Sequence, residues 1–387
     1  MSDESIWREY GTPLLRPLDS GPLGGEPLKG RTAAVKDLFA VAGFPTGAGN
    51  PRWLAQARLE PRDAWAVRAL RLAGAAIAGI AQTDELAFSL SGTNAHYGTP
   101  PNPAAPGLVT GGSSSGPAAA VAAGQADIGL GTDTAGSIRV PAAVCGLFGL
   151  RPTHGAVPAD GVLPLAPSFD TVGWLTADAA LLAAVGSVLL PPAASPSPFT
   201  AAPPRRLLSP DPPNERVLRL AGALGLPVVT TPVLGPDDIT ELLAAFRTVQ
   251  AAEAWELRGE WISANPGALH ADVEARFRTG ASVDSDTRKR AAAAIAGYRA
   301  KALAVIGPDA WLVQPAAAGP GHARDATSAE RDAWRQATLR RTVLASAFGL
   351  PSCVIPGTAS PPEGLALIGP PGADHALLGA ALVVAGS

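Results

Sequence analysis

Apolar positions recur with helical spacing in two stretches of the chain. In residues 66–77 they fall at i, i+3, i+4, i+7 and i+11, which predicts an amphipathic helix leading into a strand near Ile80. A narrower stripe in residues 295–306 predicts a second helix, which Gly307 ends. The first unit has the helix-then-strand order of an α/β fold.

Shorter apolar runs, such as Thr32–Val35 and Ile77–Ala81, alternate with glycine-rich loops and helical patterns. This alternation predicts a mixed or parallel sheet with helices on both faces. One proline-rich stretch, Leu190–Pro204, can continue neither a helix nor a central strand, and it divides the chain unequally. Helical patterns dominate after it.

Composition excludes several classes of protein. The chain has 387 residues, of which 47% are hydrophobic and 16% charged, so it can bury a large core. Its 43 glycines and 39 prolines are too many for a helix bundle. A net charge of −3 gives no electrostatic footprint for nucleic acid or an anionic membrane, and we expect neither as a partner.

Cysteine usage and the amino terminus bear on location. The two cysteines, Cys145 and Cys353, form no CxxC pair, so neither a zinc site nor a disulfide framework is expected. Residues 1–10 lack a secretory pattern, and the apolar runs are too short to span a bilayer. We therefore expect a cytoplasmic protein.

The segment Gly111–Pro152 carries the most chemistry. Two Gly/Ser loops, residues 111–116 and 131–137, flank an alanine-rich helix and a short strand at 127–130. The first loop places its serines at a helix amino terminus, and the second can point several backbone N–H groups one way. Such a loop can hold an oxyanion.

The first loop also matches G-x-S-x-G, with Ser114 in the position of an α/β-hydrolase nucleophile. That interpretation needs a strand directly before the serine and a histidine elsewhere. Residues 100–107 are rich in proline and unsuited to a strand, and none of the five histidines has a context that selects it. We disfavour this interpretation.

Lys36 is one of only four lysines and lies in an apolar, strand-like run. Burial disfavours the charged ammonium and lowers its pKa, so that a neutral amine can accept a proton. The alternative is a lysine at a sheet edge that pairs with Asp37 or another carboxylate. The nearby serine loops favour the base.

These residues resemble a known family. Gly111–Pro152, together with Ala34–Ala42, is similar to the amidase signature family of serine amide hydrolases, and the likeness covers most of residues 30–180. It recurs weakly at 350–356 and 364–371. Two further stretches, 94–103 and 168–174, resemble the subgroup of indole-3-acetamide hydrolases.

The resemblance implies a role for each matching residue. Ser137 takes the place of the acyl-forming nucleophile, Ser113 that of the bridging serine and Lys36 that of the base, with no histidine required. It also implies a cis peptide between Gly112 and Ser113. The backbone N–H groups implied for the oxyanion hole are those of Thr134, Ala135, Gly136 and Ser137, and the residues that support the loop are Ser114, Asp133 and Arg139. Cys145 is expected to pack in the core.

The resemblance further implies a single large α/β/α domain over residues 1–387, with a mixed central sheet covered by helices on both faces. Residues 30–180 form its signature core, 190–204 an internal linker, and 205–387 helical substrate-side segments and returning strands. The implied activity is hydrolysis of a small aryl or acyl amide without cofactor or metal. We keep a homodimer open as the assembly. The alternatives are the glutaminase subunit of a tRNA-dependent amidotransferase and a non-catalytic interaction protein.

Overall fold

The described chain, residues 3–19, 25–192 and 203–387 of a computed structural model, contains eleven strands in one mixed sheet. The strands are β1 (Trp7–Leu15), β2 (Thr32–Lys36), β3 (Ala76–Ala81), β4 (Ile128–Asp133), β5 (Phe148–Arg151), β6 (Thr171–Thr176), β7 (Arg206–Ser209), β8 (Val228–Thr230), β9 (Ala310–Pro315), β10 (Ser352–Ile355) and β11 (Leu365–Ile368). Their order across the sheet is β1-β3-β2-β4-β6-β5-β10-β11-β9-β7-β8. Strands from both sides of the proline-rich stretch therefore share one sheet. Residues 193–202 of that stretch lie outside the described residues.

Helices cover the sheet. They are α1 (Pro51–Gln56), α2 (Trp65–Leu72), α3 (Ser115–Ala122), α4 (Arg139–Val144), α5 (Ala179–Leu189), α6 (Glu215–Leu224), α7 (Pro236–Ala264), α8 (Ala271–Ala281), α9 (Ser285–Ile306), α10 (Ser328–Phe348) and α11 (Asp374–Ala385). Strands β4, β5, β6, β10 and β11 are buried along their whole lengths, as expected where both faces of a sheet are covered. The predicted α/β class with a mixed sheet is confirmed.

Parallel and antiparallel strand pairs occur both before and after the proline-rich stretch. Strand β2 pairs parallel with β3 and β4, and β7 pairs parallel with β8 and β9. Strand β10, from the second half, pairs antiparallel with β5 from the first. The carboxyl ends of β2 and β4 thus lie at the same edge, where Lys36 and Asp133 end their strands.

The predicted end of the first helix is wrong. Helix α2 ends at Leu72, because Gly74 turns the chain at a φ of +95°, and Ile77 belongs to β3. The second helix is confirmed: α9 ends at Ile306 before Gly307, whose φ is +68°. The apolar stripe continues across the first boundary because β3 is buried at residues 77–81, so its apolar residues extend the pattern of the helix.

The second Gly/Ser loop is shorter than predicted. Strand β4 continues to Asp133, because residues 131–133 still pair with β6. Glycine is required at Gly131, where a Cβ would lie 2.5 Å from the Ser114 Oγ. The loop between β4 and α4 therefore begins at Thr134, directly beside the amino end of α3.

Across the described ranges, no helix combines the length and the apolar character that a transmembrane span requires.

Candidate active site

Lys36 ends β2 and is completely buried between β3 and β4. Its Nζ lies 2.9 Å from the Ser113 Oγ, 3.1 Å from the Ser114 Oγ and 2.9 Å from the Thr132 Oγ1. The alternative of a lysine paired with Asp37 at a sheet edge is wrong, because β2 is an inner strand and Asp37 pairs with Arg8 at 3.0 Å.

Burial lowers the pKa of Lys36 from 10.5 to about 7, although the carboxylates of Asp84, Asp133 and Asp170 oppose the shift. The three contacts also suit a neutral amine, which has two protons to donate and one lone pair. The Ser114 hydroxyl donates to the Thr132 carbonyl at 3.3 Å, so its oxygen is free to accept from Lys36. The lone pair is then available to Ser113.

Ser113 lies in the loop that precedes α3 and is completely buried. The Gly112–Ser113 peptide is cis, which confirms the predicted isomer. The Ser113 carbonyl accepts from the Thr83 hydroxyl at 2.9 Å and from the Asp84 N–H at 3.2 Å. These two bonds fix the backbone so that the side chain points at the end of β4.

Ser137 lies in the loop between β4 and α4, and its Oγ lies 3.1 Å from the Ser113 Oγ, within hydrogen-bond distance. Lys36, Ser113 and Ser137 therefore form one continuous chain of polar side chains. The sequence separates them by 77 and 24 residues, and the sheet brings them together.

The buried carboxylate of Asp133 holds this loop. It accepts from the N–H groups of Gly136 at 2.9 Å and Ile138 at 3.1 Å. Arg139 contacts it at 2.8 and 3.0 Å, and Arg151 at 2.9 Å. Burial alone would raise the pKa of Asp133, but the two guanidinium groups outweigh it and hold the pKa well below its usual range.

One predicted oxyanion donor is engaged elsewhere. The Gly136 N–H donates to the Asp133 carboxylate at 2.9 Å, which leaves the N–H groups of Thr134, Ala135 and Ser137 as the candidate donors. The positive φ of +132° at Gly136 turns the loop, whereas Ala135 is not among the residues with positive φ. The Ala135 carbonyl accepts from the Thr342 hydroxyl of α10 at 2.6 Å.

Sequence reasoning missed several residues that shape the loop. Arg151 on β5, Asp170 before β6 and Thr342 on α10 all contact it, and Asp170 accepts from the Thr134 hydroxyl at 2.6 Å. Asp84 lies below the cis peptide and accepts from the Gly92 N–H at 2.9 Å. Only their burial as charged or polar residues distinguishes them, and a single sequence does not display burial.

The G-x-S-x-G alternative is not supported by the geometry. No strand leads into Ser114, whose buried hydroxyl contacts Lys36 and the Thr132 carbonyl. Cys145 is buried as expected, its Sγ lies 3.5 Å from the Thr110 carbonyl, and burial raises the pKa of its thiol. Within the described ranges no group of three or more His, Cys, Asp or Glu side chains could hold a metal ion.

A narrow cleft reaches Ser137. Its lining residues are Ala87, Phe88, Ser89, Leu90, Thr134, Ala135, Ser137, Leu165, Gln250, Arg335 and Leu339. It adjoins an apolar cavity of about 400 Å³, with which it shares Ala87, Thr134 and Leu165. It also adjoins a polar cavity of about 490 Å³, with which it shares Ser89 and Arg335.

Phe277 and Trp261 are not among the residues that line this cleft. Phe277 is completely buried and packs on Phe88, with ring centroids 5.0 Å apart. Trp261 packs on Trp53 beside a different cavity.

A lysine and two serines are hydrogen-bonded in series at the carboxyl ends of β2 and β4 in this mixed sheet. This arrangement defines a serine hydrolase-like site without histidine. The Amidase family model matches residues 22–232, more than half of the chain, and the chain therefore belongs to the Amidase family. The resemblance stated from the sequence is confirmed.

Curated relatives match less than half of the chain. Amidase 1 of Oryza sativa subsp. japonica is 54% identical over 165 residues, which are 43% of this chain and 38% of that protein. Indoleacetamide hydrolase of Pseudomonas savastanoi is 45% identical over 152 residues, 39% of this chain and 33% of that protein. The matched stretch thus covers less than two fifths of either relative.

Solved structures match nearly the whole chain. A chain from a vestigial protein complex that bears on the origins of an s-triazine catabolic enzyme gives a TM-score of 0.80 at 28% identity, covering 94% of this chain and 85% of its own. A crystal structure of an amidase gives 0.79 at 26% identity, with coverages of 93% and 85%.

The expected cytoplasmic location is wrong. The translocon at the outer membrane of chloroplasts 64 of Pisum sativum is 42% identical over 193 residues, 48% of this chain and 32% of that protein. Outer envelope protein 64, mitochondrial, of Arabidopsis thaliana is 45% identical over 163 residues, 42% of this chain and 27% of that protein. An amino terminus without a secretory pattern does not distinguish a cytoplasmic chain from relatives of this kind, so the expectation had no physical basis.

Proposed function

We propose that the chain hydrolyses a carboxylic amide through an acyl-enzyme on Ser137. The observation that carries the proposal is the continuous contact from the Lys36 Nζ to the Ser113 Oγ at 2.9 Å and on to the Ser137 Oγ at 3.1 Å. Neutral Lys36 takes the proton of Ser113 as Ser113 takes that of Ser137, and Ser137 attacks the amide carbonyl.

The same chain of groups returns a proton to the departing nitrogen. The amide C–N bond breaks, ammonia or an amine leaves, and Ser137 keeps the acyl group as an ester. Water, deprotonated by the same relay, then releases the carboxylate. The N–H groups of Thr134, Ala135 and Ser137 are the proposed donors to the tetrahedral oxyanion, and loss of one such donor typically costs about 3 kcal/mol.

We propose a small aryl or acyl amide as substrate and one amidase domain over residues 1–387. The adjoining cavity of about 400 Å³ supports the substrate size, since it is lined by side chains such as Leu38, Val157 and Val162. The single sheet that unites strands from both sides of residues 190–204 supports the single domain. The homodimer stays a prediction, and light scattering tests it.

The experiment is labelling with a fluorophosphonate, which reacts with an activated serine. We expect label on Ser137 in the folded protein, none in Ser137→Ala, and at least 100-fold slower labelling in Ser113→Ala. Ser187→Ala, an exposed serine of α5 whose hydroxyl donates to the Ala184 carbonyl of its own helix, is the control and should label as wild type does. An unlabelled wild-type protein would instead support a non-catalytic interaction protein.

A glutaminase role within an amidotransferase is the second candidate. One relative from Natronomonas pharaonis, a component of glutamyl-tRNA(Gln) amidotransferase, is 45% identical over 161 residues, 42% of this chain and 36% of that protein. Glutamine hydrolysis that appears only when partner proteins are added would favour this role. Turnover of simple amides by the isolated chain would favour the stand-alone amidase.

A further inference from the structure

Arg335 is the one charged side chain among the described residues that line the cleft at Ser137. It comes from α10, and its side chain is only 14% exposed. It also lines the adjoining polar cavity, so Arg335 lies where that cavity and the cleft at Ser137 meet.

The surroundings of Arg335 leave it short of negative charge. Asp332 is its ion-pair partner, with 3.5 Å between the closest atoms, but that carboxylate is 61% exposed. Arg276 and Arg247 face Arg335 from α8 and α7 and repel it. Burial and these two cations lower the pKa of Arg335 to about 10, so it stays charged at neutral pH.

The remaining acids around the polar cavity are engaged with other groups. Glu85 accepts from the Asn50 amide at 2.6 Å and contacts His96 at 2.7 Å. Asp272 lies 3.9 Å from His270 at the start of α8. A buried guanidinium with one exposed counterion gains most from a further anion, above all from a carboxylate that its planar fork can bind at two points.

We propose that Arg335 binds a carboxylate of the substrate, which narrows the small acyl amides to monoamides of short dicarboxylic acids. This rests on the proposed function at Ser137. The cleft that both side chains line has only about 20 Å³ of free space, which favours a short spacer. The reaction adds water across the amide C–N bond and yields the dicarboxylate and ammonium.

The polar residues beside Arg335 are consistent with such a ligand. Gln250 of α7 and Ser89 line the same cleft and offer an amide and a hydroxyl. A neutral aryl amide would leave the Arg335 guanidinium unpaired while covering it from water, which is unfavourable. We therefore expect neutral amides to be the poorer substrates.

The test compares malonamate, succinamate and glutaramate with the matched neutral diamides and with phenylacetamide. We expect wild type to prefer at least one monoamide to its diamide by about 100-fold in kcat/KM. Arg335→Gln should lose about 100-fold on that monoamide, mainly in KM, while its activity on the diamide should rise, because no unpaired guanidinium is then covered. Arg340→Gln, on the same helix but lining a separate cavity, is the control and should behave as wild type.

A second readout does not need turnover. Malonate, succinate or glutarate should slow fluorophosphonate labelling of Ser137 in wild type and in Arg340→Gln, but not in Arg335→Gln. Equal protection of Arg335→Gln, or a wild-type enzyme that prefers the diamides or phenylacetamide, would overturn the carboxylate site and leave the amidase proposal intact. Absence of labelling in wild type would overturn the amidase proposal itself.

Discussion

Replacing Lys36 by Met should abolish activity and yet stabilise the protein at neutral pH. Methionine has a similar length and no charge, so it fills the site between β3 and β4 without the cost of burying an ammonium. The opposing effect is the loss of the contacts to Ser113, Ser114 and Thr132.

The magnitude follows from the pKa of Lys36, which falls from 10.5 in the unfolded chain to about 7 in the folded protein. At about 1.4 kcal/mol per pH unit, this difference costs wild type about 5 kcal/mol of stability at pH 7 and below. Three lost hydrogen bonds cost the variant about 1 kcal/mol each. Lys36→Met should therefore be about 2 kcal/mol more stable than wild type at pH 7.

The pH dependence has a definite sign. Between about pH 7 and 10.5 the unfolded chain binds a proton at Lys36 that the folded protein does not, so wild-type stability rises with pH. By pH 9 wild type regains about 3 kcal/mol, and the order of the two proteins should reverse. Urea unfolding followed by tryptophan fluorescence at pH 6, 7, 8 and 9 measures the difference, in which the other titrating groups cancel.

The reasoning fails if Lys36→Met is less stable than wild type by more than about 2 kcal/mol at pH 7 and the difference is the same at pH 9. That result would mean that Lys36 is a charged structural cation in the folded state and not a base.

Two further predictions concern Lys36 and the neighbouring carboxylate of Asp133. The kcat/KM of wild type should rise with pH with a midpoint near 7, since only neutral Lys36 accepts a proton, and a profile that is flat from pH 6 to 9 would contradict the relay. Asp133→Asn should lower the free energy of unfolding by about 3 to 5 kcal/mol, because it leaves Arg139 and Arg151 buried without their counterion. Urea unfolding tests this, with Asp127→Asn, which is 33% exposed and pairs with Arg31, as the control expected to lose less than about 1 kcal/mol.

The sequence predicted what depends on local chemistry. Glycine and serine spacing indicated two loops, and the apolar context of Lys36 indicated a buried amine; the structure brings all three side chains into contact. The Gly112–Ser113 isomer followed from the resemblance. These features lie within a few residues of a strand end, so short-range patterns were enough to find them.

The remaining features depend on packing between distant parts of the chain. Arg151 reaches Asp133 only because β6 lies between β4 and β5, and Arg335 reaches the cleft only because α10 packs beside it. Neither residue differs in sequence from an exposed arginine. The end of α2 was missed for a related reason, since the apolar stripe runs on through Gly74 into β3.

The hydrogen bonds between the Ser137 loop and α10 have a consequence for synthesis on the ribosome. The Arg139 guanidinium donates to the Thr342 carbonyl and the Ser346 hydroxyl, and Thr342 in turn donates to the Ala135 carbonyl. A nascent chain that has not yet emerged beyond residue 346 contains Lys36, Ser113 and Ser137 but lacks the partners that orient the loop. Reactivity of Ser137 would thus report that α10 has been made and has packed against the loop, and a shorter nascent chain would stay inert toward cellular amides.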